Sequence, residues 1–224
     1  SDFGSDSGMN CFSSPGEAAL HCGSIDPVEH LITSFYDFPY SVFPSDIDGD
    51  GDVDLLTTSW SDQVTFWENH DGSGTSWVSH QIDGSIDAPV CVVAGDIDGD
   101  GDMDAAAAGW SYGEIVWYEN MNGLGTSWTK KTIDQASGQI TNISMAIADF
   151  DGDGSFDVVA SSDWTDQVYV WLNTGGLGET WEEPLVEDEL LGVSCVSVAD
   201  IDGDGSIDVQ AGGAQDILMV DNPS

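Results

Sequence analysis

The nonapeptide DIDGDGDVD at residues 46–54 returns three times, as DIDGDGDMD at 96–104, DFDGDGSFD at 149–157 and DIDGDGSID at 200–208. Each copy has aspartates at positions 1, 3, 5 and 9, a glycine at position 6 and a free backbone carbonyl at position 7. Oxygen atoms in this pattern suit Ca²⁺, which takes about six to eight oxygen ligands in irregular geometry, whereas Mg²⁺ needs a stricter octahedron. The four loops therefore predict about four calcium ions, one for each copy.

The predicted ligands are the side chains at positions 1, 3, 5 and 9 and the carbonyl at position 7 of each copy. They belong to Asp46, Asp48, Asp50, Asp52 and Asp54, then Asp96, Asp98, Asp100, Asp102 and Asp104, then Asp149, Asp151, Asp153, Ser155 and Asp157, and finally Asp200, Asp202, Asp204, Ser206 and Asp208. The alternative is an acidic turn without metal, but crowded carboxylates repel one another unless something neutralises them.

Two other calcium motifs do not fit this pattern. An EF-hand needs a glutamate at position 12 and a helix on each side. Position 12 instead holds Thr57, Ala107, Ala160 and Ala211. A nonapeptide β-roll would repeat every nine residues, whereas this repeat returns after about fifty. The spacing therefore indicates a larger structural unit.

The charge of the chain excludes several classes of partner. There are 42 acidic residues against two basic ones, Lys130 and Lys131, which gives a formal net charge of −40. No basic patch exists to bind phosphates, so we expect no nucleic-acid partner. No apolar run approaches the roughly 18 residues of a membrane span, and we expect no membrane insertion.

Each acidic loop lies among four short strand-like segments. In the second repeat these are VCVVAG at 90–95, DAAAAGW at 104–110, EIVWYEN at 114–120 and WTKKTID at 128–134, with a glycine-rich turn at 121–127. Four short strands repeated at about fifty residues are typical of a β-propeller blade. We predict an all-β, four-bladed β-propeller with one calcium loop per blade.

The two ends of the chain predict how the ring closes. Residues 27–42, shifted by fifty, align with residues 77–92, which include the outer strand of a blade. The last repeat lacks that strand, so 27–33 is expected to complete it by strand-swapped closure. The predicted domains are a tail over 1–26 and a propeller over 27–224. Its blades are expected at about 40–83, 90–134, 142–186, and 193–222 plus 27–33.

These units resemble the FG-GAP (VCBS-type) repeat of integrin α-subunit propellers and of many secreted microbial and fungal proteins. The resemblance covers about 27–222 and implies calcium in the loop between a blade's first and second strands. It implies no single function, because such proteins include adhesion receptors, lectins and accessory domains of polysaccharide-degrading enzymes. Integrin propellers have seven blades, so a count of four departs from that pattern and weakens any analogy of the ligand face.

The four cysteines fall into two pairs of different character. Cys11 and Cys22 lie in a Ser/Gly-rich segment outside the repeats, and we predict that they form a disulfide. Cys91 and Cys195 each precede a motif aspartate by five residues and are interpreted as free thiols in the core. Calcium sites and a disulfide both favour a secreted, extracellular or cell-surface location.

The nine tryptophans also follow the repeat, with three in each of the first three blades. Six are expected to pack between blades, namely Trp67, Trp77, Trp117, Trp128, Trp171 and Trp181. Trp60, Trp110 and Trp164 follow second strands at a turn, where they could stack on sugar rings. Asn142 begins the sequon Asn-Ile-Ser and is a candidate for N-glycosylation, with chance occurrence as the alternative.

No catalytic constellation is visible in the sequence. The four histidines share no metal-ligand spacing and show no pairing of nucleophile and base. Carboxylate pairs leave a glycosidase as an alternative, although the repeated ones are assigned to calcium. We expect a non-catalytic structural or adhesive module of an extracellular assembly, whose partner is either another copy of itself or an extracellular glycan or protein.

We expect the N-terminal segment to make ordered contacts, and donation of its strand to a neighbouring copy would build a homopolymer. Closure within one chain is the alternative. A lectin-like propeller that uses the turn tryptophans is the second functional hypothesis, and an accessory domain of a polysaccharide-degrading enzyme is the third.

Overall fold

The computed structural model of the chain describes residues 29–34, 36–110, 113–135, 144–182, 185–187, 190–214, 216–220 and 222. The chain divides into two units, Ser1–Leu31 and Ile32–Ser224. Residues 29–31 of the first unit are described and form no strand, and the second unit carries all the strands given below. The predicted tail, its Cys11–Cys22 disulfide and Asn142 lie outside the described residues.

The described part of the second unit consists of four antiparallel sheets. The first sheet contains β1 (Pro39–Ser45), β2 (Asp54–Ser59), β3 (Gln63–Asn69) and β4 (Trp77–Asp83), and the second contains β5 (Pro89–Gly95), β6 (Asp104–Gly109), β7 (Glu114–Asn120) and β8 (Trp128–Gln135). The third contains β9 (Ser144–Ala148), β10 (Asp157–Ser162), β11 (Gln167–Trp171) and β12 (Leu185–Glu187), and the fourth contains β13 (Cys195–Ala199), β14 (Asp208–Gly212) and β15 (Ile217–Val220).

Strands that follow one another in the chain are neighbours within each sheet. This order arises because each connection is short, and short connections favour antiparallel pairing of successive strands. No helix occurs among the described residues, so the all-β prediction is confirmed. The described part of the chain contains no helical segment with the length and hydropathy that a membrane crossing requires.

The sheets pack on one another in chain order through three apolar layers. Leu56 and Phe66 of the first sheet meet Ala107 of the second. Equivalent clusters join the second sheet to the third and the third to the fourth. The middle strands carry small residues, such as the four alanines of β6, which are buried and allow close approach of the sheets. No comparable contact joins the first and fourth sheets within the described ranges.

The predicted closing strand over 27–33 is not formed at its described residues. Residues 29–33 form no strand, and the fourth sheet has three strands within the described part. A hairpin strand such as β4 pairs with its immediate neighbour, whereas 27–33 would have to pair with β15 at the far end of the chain, at a larger loop-closure cost. No strand is formed at the described residues 29–33, and strand-swapped closure of the ring stays a prediction.

Tyr36, just after this segment, packs on the first sheet instead. Its ring lies edge-on to Trp67 with 5.6 Å between ring centroids, and its hydroxyl donates to Thr65 Oγ1 at 3.2 Å. This contact covers part of the face of the first sheet that has no sheet packed on it.

The prediction of two free cysteines is confirmed, but their surroundings differ. Cys91 is partly buried against the layer between the second and third sheets, as expected for a core thiol. The prediction of a core position is wrong for Cys195, which is exposed. The reason is that Cys195 points away from the third sheet, and no described residue of a further sheet covers that side.

The six tryptophans predicted to pack between sheets occupy two kinds of position. Trp117 and Trp171 are buried between sheets, and Trp67 is buried on the first sheet. Trp77, Trp128 and Trp181 come directly after the glycine-rich turns of the hairpins. Their indole N–H groups donate to the carbonyls of Gly74, Gly125 and Gly178.

Candidate metal centres in the four loops

Each acidic loop connects the first and second strands of its sheet and is curled by its own side chains. In the first loop, Asp46 Oδ2 accepts the N–H of Gly51 at 3.1 Å and Asp48 Oδ1 accepts the N–H of Asp50 at 3.2 Å. Asp50 Oδ1 accepts the N–H of Asp52 at 2.8 Å. The same three bonds recur in the other loops. The loops therefore hold their carboxylates in one repeated arrangement.

The glycine at position 6 is required by the backbone. Its φ is between 94° and 99° in the four copies, Gly51, Gly101, Gly154 and Gly205. A side chain is rarely compatible with this conformation, so the glycine is what permits the sharp reversal between the early and late ligand positions.

The position 9 aspartate ties the loop to the rest of its sheet. Asp54 is almost completely buried. Its Oδ2 accepts the N–H of Ile47 at 3.0 Å and its Oδ1 accepts the N–H of Asn69 at 2.8 Å. Asp104, Asp157 and Asp208 make the same two bonds. This second role was missed in the sequence, although an asparagine at the end of every third strand was the available signal.

The structure brings three carboxylates of each loop together. One oxygen from each member of a set lies within 4.8 Å of the others, and the sets are Asp46, Asp48 and Asp50, then Asp96, Asp98 and Asp104, then Asp149, Asp151 and Asp157, and then Asp200, Asp202 and Asp208. The position 7 side chains of Asp52, Asp102 and Ser155 lie against the hairpin glycines Gly72, Gly123 and Gly176 instead. Of the predicted side-chain ligands, Asp54, Asp100, Asp153 and Asp204 fall outside these sets.

Three of the loops contain a buried oxygen that nothing satisfies. Oδ1 of Asp46, Asp96 and Asp149 is inaccessible to solvent and has no hydrogen-bond partner. A buried charged oxygen without a partner is costly, and a cation between the carboxylates would remove that cost. The all-oxygen donor set fits a hard divalent cation such as Ca²⁺.

The fourth loop is more open than the other three. Asp200 is exposed, and its Oδ1 accepts the N–H of Gly203 at 2.7 Å. An oxygen that already accepts a hydrogen bond in water-accessible surroundings gains less from a cation.

Burial makes the charged form of several loop carboxylates unfavourable. It raises the pKa of Asp104 to about 7, against the lowering effect of two backbone N–H donors. Burial is also the main cause that raises the pKa of Asp54 and of Asp157, and of Asp48 and Asp98. Nearby carboxylates raise these values further. A divalent cation would favour the ionised forms.

Two of the three turn tryptophans form a cluster. Trp60 and Trp110 lie 4.6 Å apart between ring centroids at 51°, and Tyr40 lies 5.9 Å from Trp60. Trp60 also lines an open pocket of about 560 Å³ with Phe38, Pro39 and Tyr40. Trp164, in the third sheet, has 67% of its surface exposed. The structure therefore places two of the three predicted stacking residues side by side.

The repeated loops and strands match a known family of sequence repeats. A model of the FG-GAP-like repeat matches residues 46–107 and 149–210, which is more than half of the 224 residues. The chain belongs to the FG-GAP-like repeat family. Each match contains two of the four acidic loops, and the resemblance seen in the sequence is confirmed.

Solved structures show the same fold at low sequence identity. The crystal structure of BBS1N in complex with ARL6DN, soaked with mercury, is 14% identical with a TM-score of 0.54, covering 84% of this chain and 53% of that one. The lead-soaked crystal has 14% identity and a TM-score of 0.52, with 82% and 53% covered. A Tc holotoxin pore of Photorhabdus luminescens is 16% identical with a TM-score of 0.48, with 80% and 9% covered.

The chain thus spans about half the length of the BBS1N chain that it matches. Among curated proteins, no sequence matches this chain significantly.

The FG-GAP-like units are also joined to one another by a repeated asparagine. The amide of Asn120, in the second sheet, donates to the carbonyl of Ile47 in the first loop at 3.1 Å. The amide of Asn173 donates to the carbonyl of Ile97 at 2.8 Å. Asn120 and Asn173 also bind their own hairpins, because their side-chain oxygens accept the N–H of Gly125 and Gly178. The first and second loops are therefore each held by the sheet that follows them.

Proposed function

We propose that this FG-GAP-like chain is a calcium-stabilised, β-propeller-like module with a structural or adhesive role outside the cell. The observation that supports calcium most directly is the set of buried, unpartnered Oδ1 atoms of Asp46, Asp96 and Asp149. Each of them belongs to a cluster of three carboxylates on a loop that hydrogen bonds have already shaped. FG-GAP-like repeats often bind calcium, which supports the same proposal.

A bound Ca²⁺ would supply electrostatic cross-linking of each loop rather than a reaction. The carboxylates at positions 1, 3, 5 and 9 and the carbonyl at position 7 would hold it. The position 9 aspartates already bind the end of the third strand. The loop, the second strand and the third strand would therefore be stabilised together, and the free energy of unfolding would rise with calcium concentration.

The extracellular role rests on charge and on calcium supply. Four bound Ca²⁺ would reduce the formal charge from −40 to about −32, and this acidic surface suits a calcium-rich medium. We further propose that the module is non-catalytic, because its repeated carboxylate clusters are assigned to metal. Secretion and a glycan or protein partner are parts of the same proposal.

Native mass spectrometry and calorimetric titration of the chelated protein test the calcium proposal. We expect four Ca²⁺ per chain and a marked fall in melting temperature on chelation, which Ca²⁺ reverses and an equal concentration of Mg²⁺ does not. Asp96→Asn should remove one ion, whereas the control Asp216→Asn, an exposed aspartate outside the loops, should remove none. Fewer than three Ca²⁺ per chain in millimolar calcium would contradict the proposal.

A second candidate function is carbohydrate binding at the aromatic cluster. It is supported by the paired rings of Trp60 and Trp110 and by the open pocket beside them. A glycan array should then show binding that Trp60→Ala abolishes and Trp164→Ala leaves intact. No binding to any glycan would eliminate this function.

A further inference from the structure

Within the described residues, the two end sheets each have one face on which no further sheet packs, and on the first sheet the ring of Tyr36 covers Trp67 there. We name the face that a sheet turns to the next sheet in chain order its forward face, and the opposite one its backward face. The forward face of the fourth sheet carries Cys195, Gln210, Ile217 and Met219, and the backward face of the first sheet carries Val42, Thr57, Thr65 and Trp67. We propose that the forward face of the fourth sheet docks on the backward face of the first sheet in a second copy of this chain.

The first observation is an unfinished series of asparagine bonds. Asn222, in the fourth sheet, donates to the carbonyl of Phe150 in the third loop, as Asn120 and Asn173 do to the loops before them. Asn69 is the equivalent residue of the first sheet, and within the described residues its amide donates only to Val53 of its own sheet, at 3.2 Å.

The matching acceptor lies at the other end. Ile201 occupies the position of Ile47 and Ile97 in the fourth loop, and 39% of it is exposed where those two are 1% exposed. Docking would bring the Asn69 amide of one copy to the Ile201 carbonyl of the other.

The second observation concerns the first strands of the sheets. The N–H of Val92 donates to Ser41 Oγ at 3.4 Å, and the N–H of Val196 donates to Ser144 Oγ at 3.2 Å. Both bonds join one sheet to the next at the same register. The equivalent groups at the two ends are the N–H of Val42, in the first sheet, and the sulfur of Cys195, in the fourth, which lies 4.0 Å from the Gly212 carbonyl of its own sheet. Both side chains are exposed.

The third observation is the packing of hairpin glycines on the preceding sheet. A β-carbon at Gly125 would lie 2.4 Å from the Phe66 ring, and one at Gly178 would lie 2.2 Å from the Trp117 ring. These hairpins therefore seat directly on the forward face of the sheet before them. Gly74 is the equivalent glycine of the first sheet, and the atom nearest to its β-carbon position belongs to its own hairpin, Trp77, at 3.8 Å.

The side chain that Gly74 would meet is Met219, the equivalent of Phe66 and Trp117. Met219 is 45% exposed and Ile217 is 87% exposed, whereas Phe66 and Trp117 are 0% exposed. Docking would remove the apolar surface of these two side chains from water, which favours association.

A polar pair indicates that the two end faces fit each other. In each of the three internal layers, a forward-facing residue of one sheet lies in the same apolar cluster as a backward-facing alanine of the next sheet. The pairs are Leu56 with Ala107, Ala106 with Ala160, and Val159 with Ala211. At the ends, the forward position is Gln210 and the backward position is Thr57. A glutamine needs a polar partner when it is buried. Thr57 Oγ1 already accepts the indole N–H of Trp67 at 2.9 Å, so its hydroxyl hydrogen is what it would offer to Gln210 at the same register.

A second copy explains the uncovered faces better than closure within one chain. The described residues show no comparable contact between the first and fourth sheets, and the four sheets match only 53% of the longer BBS1N chain. Two copies joined reciprocally would form a closed ring of eight sheets with two-fold symmetry. That number lies within the range of about four to eight blades seen in propellers.

Disulfide trapping tests the proposed register. Val42→Cys places a thiol next to Cys195 of the partner copy, where mild oxidation by oxidised glutathione should join them. Isotopically labelled and unlabelled chains of this variant are mixed before oxidation, and the peptide that links position 42 to Cys195 is analysed by mass. We expect linked peptides that combine one labelled and one unlabelled half. The control, Val42→Cys combined with Cys195→Ser, should give no such peptide.

Sedimentation equilibrium in calcium provides an independent readout. The unmodified chain should form dimers, and Ile217→Asp should weaken the dimer at least tenfold. Leu177→Asp replaces an exposed leucine of the third hairpin, outside both end faces, and should leave the dimer unchanged. Circular dichroism checks that each variant is folded. A cross-link found only within single chains would show closure in one copy, and a monomer without any cross-link would overturn the docking altogether.

Discussion

The interior sheets and the end sheets of this molecule are built from the same repeat but are buried differently. The second sheet is covered on both faces, so the whole of β6 and the ring of Trp117 are buried. The fourth sheet has the same loop and the same strand order, but Met219, at the position of Trp117, is exposed. What a repeat contributes to stability therefore depends on the sheet that packs against it as well as on its own residues.

The same difference reaches the acidic loops. The second loop is held by Asn173 of the third sheet, and Asp96 within it has a buried oxygen without a partner. No described sheet follows the fourth loop, and its Asp200 is exposed and hydrogen bonded to Gly203. Cover by the following sheet thus removes water from a loop and leaves a carboxylate oxygen without a hydrogen-bond partner.

The largest expected contrast is between Trp117→Ala and Met219→Ala. Trp117 fills the layer between the second and third sheets, and its indole donates to the Gly178 carbonyl at 3.0 Å. Its truncation should lower the free energy of unfolding by about 3–5 kcal/mol. Met219→Ala should cost less than about 1 kcal/mol, because 45% of this side chain is already exposed and its truncation leaves no closed cavity. Urea denaturation of dilute protein in calcium measures both values.

Dilution keeps any association of chains from adding to the effect of Met219→Ala. Equal losses for the two variants would mean that the fourth sheet is as well covered as the second, and the comparison would then be wrong.

A smaller contrast is expected between Asn120→Ala and Asn69→Ala. Each substitution removes two hydrogen bonds of the asparagine side chain. One is accepted from the N–H of the hairpin glycine, and the other is donated to a carbonyl of the acidic loop in the same sheet. Asn120→Ala also leaves the buried carbonyl of Ile47 without its donor. We therefore expect Asn120→Ala to cost about 1–3 kcal/mol more than Asn69→Ala, as measured by urea denaturation of dilute monomer. A larger loss for Asn69→Ala would show that the first sheet already has a partner.

The sequence predicted the parts of this structure that depend on local residues. The nonapeptide and its spacing of about fifty residues predicted an all-β repeat fold, because turns and short strands are encoded by neighbouring residues. Glycines of the loops and hairpins were informative for the same reason. The two bonds of Asp54 were not predictable in this way, since one donor, Asn69, lies in another strand.

The wrong part of the cysteine prediction depends on what packs against a residue from a distance in the sequence. Cys91 and Cys195 occupy equivalent positions, and only the presence of a following sheet makes one partly buried and the other exposed. The segment 29–33 repeats the pattern of β4 but lacks the hairpin that brings β4 to its neighbour. Sequence similarity between repeats therefore predicts the fold of a unit better than it predicts which of its faces another sheet buries.

Calcium affinity should separate the second and fourth loops. Asp96 Oδ1 has no hydrogen-bond partner and is available to a cation. Asp200 Oδ1 must first lose the hydrogen bond that it accepts from the N–H of Gly203. We expect the fourth loop to bind Ca²⁺ about tenfold more weakly, a difference of about 1.4 kcal/mol. Calorimetric titration of Asp96→Asn should lose a tight site, and that of Asp200→Asn should lose the weakest one. Loss of equally tight sites in both variants would show that cover by the next sheet does not affect affinity.

The smallest expected effect concerns the ion pairs on β4 and β8. The Nζ atom of Lys131 lies 2.8 Å from a carboxylate oxygen of Glu119 and 2.8 Å from one of Glu179. The ion pair with Glu179 joins the second sheet to the third. At the equivalent position of the first sheet, His80 binds Glu68, which also binds His70. A lysine stays charged throughout the neutral range, whereas a histidine does not. Only the cluster of the first sheet should therefore depend on pH near neutrality.

The direction of that dependence follows from the two shifts. The hydrogen bond that His70 donates to Glu68 raises the pKa of His70 above its ordinary 6.5, so this contribution to stability is complete below pH 6.5 and is lost as the pH rises through the folded value. Hydrogen bonds from His70 and His80 lower the pKa of Glu68 below its ordinary 4.5, so its contribution is complete above pH 4.5 and is lost in acid. The stabilisation should be greatest between these two pH values. NMR titration should give His70 a pKa above 6.5 that Glu68→Gln returns to the ordinary value, and a His70 pKa at or below 6.5 in the unmodified protein would show that the exposed pair does not form.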